Sequence, residues 1–456
     1  MAKGRGNGMT GLGRALRDRG VWKKILITLG LIAAYRAGSV LPIPGVDYWA
    51  VNQCISAGTS SDAYTLVNLI SGGALLQLSV FALGVMPFIT AMIVMQLLPS
   101  VIPALDRIKK EGPSGQARIL QYSRYLTVGI AALQALALVS LARVPGAIFP
   151  TCTSEIVPNR STWILLVGAL VVTLGALLVM WIGELIAIHG VAKSGISLLV
   201  FVGIVSVLPD TISGVYATNG LAATAAVVGV ALVLLIFVVW IEAAQRRIPI
   251  QYSSSSALRT SSEMDTYLPL PINAASVIPV IFSSSLLFFP VFLAQLVGDP
   301  DNAVAVWILQ DFSDRNGLWH IIVLAVMIIF FAFFYVSVTY NPLEMADDIR
   351  DAGGFVPGIR SGAETAAYLR YVLIRLTTVG SIYLASVAII PGAVAADALG
   401  VGTQLAFLGT SMLIISRVGL DSVREVASMG DQYSYSRLFG GGKDLFASSG
   451  ASGRDG

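Results

Sequence analysis

Long apolar runs, separated by shorter polar connections that carry most of the charge, repeat along the whole chain. Runs of about 20 apolar residues, enough to cross ~30 Å of hydrocarbon, fall at 25–44, 77–98, 119–142, 163–187, 195–209, 220–241, 273–297, 318–340, 368–392 and 404–427, ten segments of which the fifth is short. They are continuous rather than alternating. In lipid every backbone amide needs an internal partner, so they predict helices and not barrel strands. The expected fold class is an all-α polytopic membrane protein. A further apolar stretch at 64–75, interrupted by Ser71, Gly72 and Gly73, is too short to cross and too apolar for an external loop, so it is expected to be buried.

Charge sets the orientation. Lys3, Arg5, Arg14, Arg17, Arg19, Lys23 and Lys24 precede the first segment, which puts the N-terminus in the cytoplasm, and an even number of spans returns the C-terminus there. The loops made cytoplasmic hold Arg107, Lys109, Lys110, Arg118, Lys193, Arg246, Arg247, Arg259, Arg350 and Arg360; those made external hold only Arg143, Arg160 and Arg315. No small-residue cleavage pattern follows the first apolar run, so that helix is expected to be retained. Of the 456 residues, 55% are hydrophobic and 12% charged, which excludes a water-soluble globule; such domains carry about 25% charge. A net charge of +3 is too small to argue for nucleic acid.

Catalytic and cofactor chemistry is sparse. Two cysteines, Cys54 and Cys152, fall in predicted external loops, where a disulfide would persist; two unpaired small loop residues are the plainer reading. His189 and His320 stand alone at span ends, with no second ligand at metal spacing. The Gly190 to Ser194 stretch lacks the spacing of a phosphate loop, so no nucleotide, metal or other cofactor is expected and energy must come from a partner. Glu184, Glu242 and Asp421 sit at cytoplasmic span ends, where snorkelling and end-capping account for them. Arg36 and Arg417 lie deeper, each at a cost of about 2.5–3.5 kcal/mol at a helix centre on insertion scales, and snorkelling would explain both.

Several unusual segments occur in a telling order: RAGSVLPIPG at 36–45, NLISGGA at 68–74, ALGVMPFI at 82–89, KKEG at 109–112, QYSRY at 121–125, GISLL at 195–199, QRR at 245–247, VIPVIF at 277–282, FVPGIR at 355–360 and GTSMLI at 409–414. From about residue 10 to 436 the chain resembles the SecY family of bacterial protein-conducting channels. The resemblance implies ten transmembrane helices in two pseudo-symmetric five-helix halves around a central pore in the bacterial plasma membrane. The divisions would be a cytoplasmic N-terminal segment 1–24, a first half 25–209, a second half 210–433 with cytoplasmic loops 242–272 and 341–367, and a flexible cytoplasmic tail 434–456.

Matched motif by motif, the resemblance implies a pore ring of Val85, Ile89, Ile196, Val200, Ile281 and Ile414, all branched and aliphatic. Such a ring excludes water and ions yet deforms around a peptide. Valine at 85 and 200, where isoleucine is frequent, implies a slightly looser ring. The segment 64–75 takes the place of the plug, with Leu66, Leu69, Ile70, Ser71, Gly72 and Gly73; by periodicity alone it would be a re-entrant packing segment. Thr90, Gln134 and Asn273 are expected along a lateral gate between the second and third spans and the seventh and eighth, fixed interhelical glue being the alternative. Arg246, Arg247 and Arg360 are expected to dock partners on the cytoplasmic face.

The resemblance also implies SecE-type and SecG-type small membrane subunits, a SecA motor ATPase, the ribosome, signal peptides and nascent polypeptides, and membrane lipids as partners. The chain departs from the family pattern at Ser253 to Ser256, at Asp348 and Asp351, at Lys193 and Ser194, and at Arg417, which stands in an ordinarily aliphatic place. A secondary transporter is the alternative reading. It would place coupling charges or an unwound helix pair at the midplane, where the expected feature here is an aliphatic ring. A membrane enzyme has the least support, since no nucleophile, metal cluster or acid–base pair shares a depth.

Overall fold

The structure, a computed structural model, describes residues 19–56, 68, 71–143, 156–157, 161–192, 194–252, 267–297, 306–308, 312, 317–399 and 408–439. Its helices are α1 (Arg19–Val40), α2 (Tyr48–Ser56), α3 (Met86–Val101), α4 (Pro103–Lys110), α5 (Pro113–Ala142), α6 (Thr162–His189), α7 (Gly195–Glu242), α8 (Ile278–Val297), α9 (Leu318–Thr339), α10 (Pro342–Asp351), α11 (Ala363–Leu399) and α12 (Leu408–Phe439). Among the described residues five helical stretches are long and apolar enough to cross a membrane: Ser114–Ala142, Thr162–His189, Gly195–Glu242, Leu318–Asp351 and Ala363–Val394; α3 with α4, sharply bent, would make a sixth. The ten expected segments map onto α1, α3, α5, α6, the two parts of α7, α8, α9, α11 and α12.

Three of those segments differ from expectation. The second was read as helical from residue 77, yet 72–85 are consecutive turns and the helix starts only at Met86. Gly72, Gly73 and Gly84 have positive φ, as does Leu78, which breaks helical progression. The turns are nonetheless buried, and their backbone is satisfied by the chain after α1: Ile43 N–H donates to Leu78 O at 3.0 Å and Val80 N–H to Leu41 O at 2.8 Å. Hydropathy reports burial, not backbone form. The fifth segment runs on through Pro209 and meets the sixth in one 48-residue element, broken only at Gly220 (φ 77°, ψ −176°). At the far end α12 extends to Phe439, past Ser434 where a flexible tail was expected.

Among the described residues four short strands add to the helical fold. β1 (Gln245–Pro249) pairs antiparallel with β3 (Tyr267–Pro271), Ile248 opposite Leu268. β2 (Gln251–Tyr252) pairs with β4 (Gly354–Phe355), which joins the two large loops expected on the cytoplasmic side. Strands this short carry too little alternation to be read from sequence.

Packing falls into two groups that are joined extensively through α7 and α12 and sparsely along one seam. In one, α3 lies on α5, α5 on α6, and α6 on both α1 and α7; in the other, α8 lies on α9, α9 on α11, and α11 on α10 and α12, while α12 closes against α7. Across the seam, α3 meets α9 and α5 meets α8 along few residues. Small residues bring helices close: a Cβ on Gly409 would run into Val387 O of α11.

Candidate functional site

Side chains from five helices, α3, α7, α8, α9 and α12, and from both packing groups converge on one cavity of about 590 Å³. Ile89 of α3, Ile196 and Val200 of α7, Ile281 of α8 and Ile414 of α12 all line it. Each helix delivers its residue from a different direction, so the apolar wall is shared rather than contributed by one element. Val85 does not line this cavity. It is 1% exposed and sits at the start of α3, where its carbonyl accepts the Ile89 N–H at 3.1 Å. The charged part of the wall lies further along α12, where Arg417, Asp421, Arg424 and Glu425 follow Ile414, while Met92, Ile93, Val277 and Val418 extend the apolar part. The cavity thus has an aliphatic end and a charged mouth.

A buried ionic cluster stands at that mouth, and it corrects the reading of Glu242 and Arg417 as snorkelling side chains. The Glu242 side chain is 0% exposed. Asn273 donates from Nδ2 to Oε1 at 2.7 Å, and Arg417 donates from Nη1 to Oε2 at 3.4 Å. Arg417 also donates from Nε to Asp421 Oδ2 at 3.1 Å. Glu242 ends α7 just before β1, and Asn273 follows β3 just before α8, so both strands of the hairpin are rooted at this carboxylate. Breaking a buried pair by removing one partner costs about 3–5 kcal/mol. Glu184 is paired as well: Arg124 Nε of α5 donates to its Oε1 at 2.7 Å, so it ties α5 to α6.

Of the expected plug residues, Ser71 packs against Gly84 and Gly72 against Gly203 of α7; Leu66, Leu69 and Ile70 lie outside the described residues. Ser71 is fully buried, and a Cβ on Gly84, next to Val85, would meet Ser71 Cα at 3.3 Å. Tyr35 Oη donates to Ser71 O at 3.1 Å and Arg36 Nη1 to Gly72 O at 2.9 Å. Arg36 therefore turns inward to a backbone carbonyl rather than snorkelling outward.

Thr90, Gln134 and Asn273 are not hydrogen-bonded to one another. Thr90 donates to Met86 O within its own helix, Gln134 Oε1 is buried without a partner, and Asn273 serves Glu242. Thr90 and Gln134 belong to α3 and α5, on one side of the sparse seam; Asn273 lies at the root of the hairpin. Arg246 and Arg247 are exposed on β1, opposite Leu270 and Pro269, and the Arg247 guanidinium lies 4.6 Å from the Tyr267 ring centroid. The Arg360 side chain is 89% exposed and 4.0 Å from Glu364. Through β2 and β4 the loops of these arginines share one platform.

Cys54 is buried and disulfide-bonded, contrary to the plainer reading of two unpaired cysteines. The chain's other cysteine, Cys152, lies outside the described residues. His189 is exposed, and His320 Nδ1 lies 3.0 Å from Phe312 O. Among the described residues no group of His, Cys, Asp or Glu could hold a metal ion.

The SecY family model matches residues 79–423. The protein translocase subunit SecY of Streptomyces scabiei is 46% identical over 435 residues, covering 94% of this chain and 99% of the relative. That of Mycobacterium tuberculosis (strain H37Rv) is 45% identical over 431 residues, covering 92% and 97%. Among solved structures, a protein-conducting channel superposes with a TM-score of 0.64 at 16% identity over 92% of this chain and 94% of its own. Sec61 in the canine ribosome–channel complex superposes with a TM-score of 0.62 at 16% identity over the same shares. Identity this high over nearly the full length of both chains, on a fold with an aliphatic cavity at its centre, leads to one conclusion: the chain belongs to the SecY family, the multi-pass membrane channel subunits through which protein translocases conduct polypeptides.

Proposed function

We propose that unfolded secretory polypeptides thread this chain at the ring of Val85, Ile89, Ile196, Val200, Ile281 and Ile414, in a bacterial plasma membrane. The observation that carries the reading is the convergence of five of these side chains, from four helices, on one cavity with a charged mouth. Aliphatic contacts are weak and non-directional, so the ring closes without a specific partner and yields to any passing side chain. Segment 64–75 is the plug. A similar solved structure is described as one whose plug domain stabilises the closed state of the channel and maintains a membrane seal.

Transmembrane segments leave through the seam between α3 and α5 on one side and α8 and α9 on the other, where packing is sparse. The platform carrying Arg246, Arg247 and Arg360 receives a SecA-type motor or the ribosome, and SecE-type and SecG-type subunits complete the assembly. Structural relatives have been seen in ribosome–channel complexes, which supports the ribosome as a partner here. The test is photocrosslinking of a stalled secretory chain from probes at 89, 196 and 281. Adducts to the chain are expected at all three; adducts only at lipid-facing positions such as Leu133 and Leu232 would overturn the reading.

A further inference from the structure

We infer that Arg36 and Tyr35 of the first span are the positioning residues that latch the plug against the ring in the resting channel. The inference rests on the plug reading proposed above and adds to it the groups that hold the segment in place.

Ser71 and Gly72 are gripped from two sides. On the α1 side, Tyr35 is fully buried, stacks on Phe81 at 6.1 Å between centroids, and donates to Ser71 O at 3.1 Å; Arg36 donates to Gly72 O at 2.9 Å. On the α7 side there is no spare room: a Cβ on Gly72 would lie 2.9 Å from Gly203 Cα and 3.1 Å from Arg36 Nη1. Gly203 follows Val200 by about one helical turn, and Ser71 packs on Gly84, beside Val85. The gripped segment therefore abuts two ring positions.

The chemistry of the grip suits release. Both donors reach main-chain carbonyls, so holding does not depend on the plug's side chains. Arg36 is half-buried, and a guanidinium at such depth needs a strong acceptor while the segment is seated. Once the segment leaves, water entering the space it vacates can solvate the same cation, so the closed and open positions each satisfy it. A hydrogen bond from a charged donor is roughly twice as strong as a neutral one, which makes Arg36 the larger contributor.

The test uses the channel reconstituted with its small subunits, read by resting ion conductance in planar bilayers and by motor-driven translocation into proteoliposomes. Arg36→Gln is expected to raise resting conductance about tenfold with translocation retained. Tyr35→Phe should raise it less, and Arg36→Lys, which keeps a charged donor, should restore most of the seal. Deletion of 64–75 is the control for the plug itself. If the deletion leaks and Arg36→Gln does not, the latch is wrong and the plug reading stands. If the deletion does not leak, the plug reading fails and the latch falls with it. Loss of translocation in Arg36→Gln, or an equally leaky Arg36→Lys, would make Arg36 a fold residue and would also overturn the latch.

Discussion

The two ends of the central cavity are built from opposite materials. At one end Ile89, Ile196, Val200, Ile281 and Ile414 line the wall with groups that interact through dispersion alone; at the other, Glu242, Asn273, Arg417 and Asp421 are joined by oriented, charge-assisted hydrogen bonds. An aliphatic contact loses little when its partner shifts by an ångström and is regained against any other apolar surface. A buried carboxylate has no such tolerance, because a lost partner leaves an uncompensated charge. On the proposed reading the aliphatic end opens repeatedly, while the ionic end ties α7 and α12 to the segment that leads into α8. A channel needs both: something that gives, and a frame that does not.

Removing one partner at the rigid end breaks that comparison most severely. Arg417→Leu leaves the fully buried Glu242 with Asn273 as its remaining hydrogen-bond partner. The expected loss of stability is about 3 kcal/mol, the lower end for a buried pair because Arg417 keeps some solvent contact. A thermal melt of the purified complex in detergent measures it. The double variant Glu242→Gln with Arg417→Leu should recover all but about 1 kcal/mol, since both charges are then gone. A single variant as stable as the parent would mean that water or another cation serves Glu242.

The soft end is expected to fail differently. Ile89→Ser and Ile281→Ser place hydroxyls in the constriction, which favours wetting. Resting conductance should rise about tenfold for each, a change of about 1.4 kcal/mol in the closed–open balance, with a melting temperature close to the parent's. Val85→Ser, at a position off the cavity wall, is a sharper probe of where the ring lies. If it leaks as much as Ile89→Ser, the resting constriction includes residue 85; if it leaks less, the seal lies among the other five.

This contrast also explains what could be read in the sequence. The ring positions sit inside short motifs, so GISLL at 195–199 or GTSMLI at 409–414 carries its residue by local pattern. The ionic cluster has no local pattern: its members are 31 and 175 positions apart along the chain, and each alone looks like a span-end charge. The latch around Ser71 escaped for a related reason, since its acceptors are backbone carbonyls that no side-chain pattern marks. Span positions were legible because burial in lipid needs long apolar runs. The turns at 72–85 were not, because hydropathy is blind to whether a buried backbone is helical or folded back on a neighbour.

The smallest expected effect comes from an ion pair of intermediate burial. Arg124 and Glu184 join α5 to α6 at 2.7 Å, but their side chains are 43% and 18% exposed, against 0% for Glu242. Water screens the arginine and can replace it at the carboxylate, so the pair should behave as a surface bridge rather than as part of the frame. Arg124→Gln is expected to cost about 0.5–1 kcal/mol, and the cost should shrink further at high salt. The same melt, run at low and at ~1 M salt, separates the cases. A salt-insensitive loss near that of Arg417→Leu would show that rigidity depends on charge pairing throughout the molecule, and the division between a yielding ring and a fixed ionic frame would no longer hold.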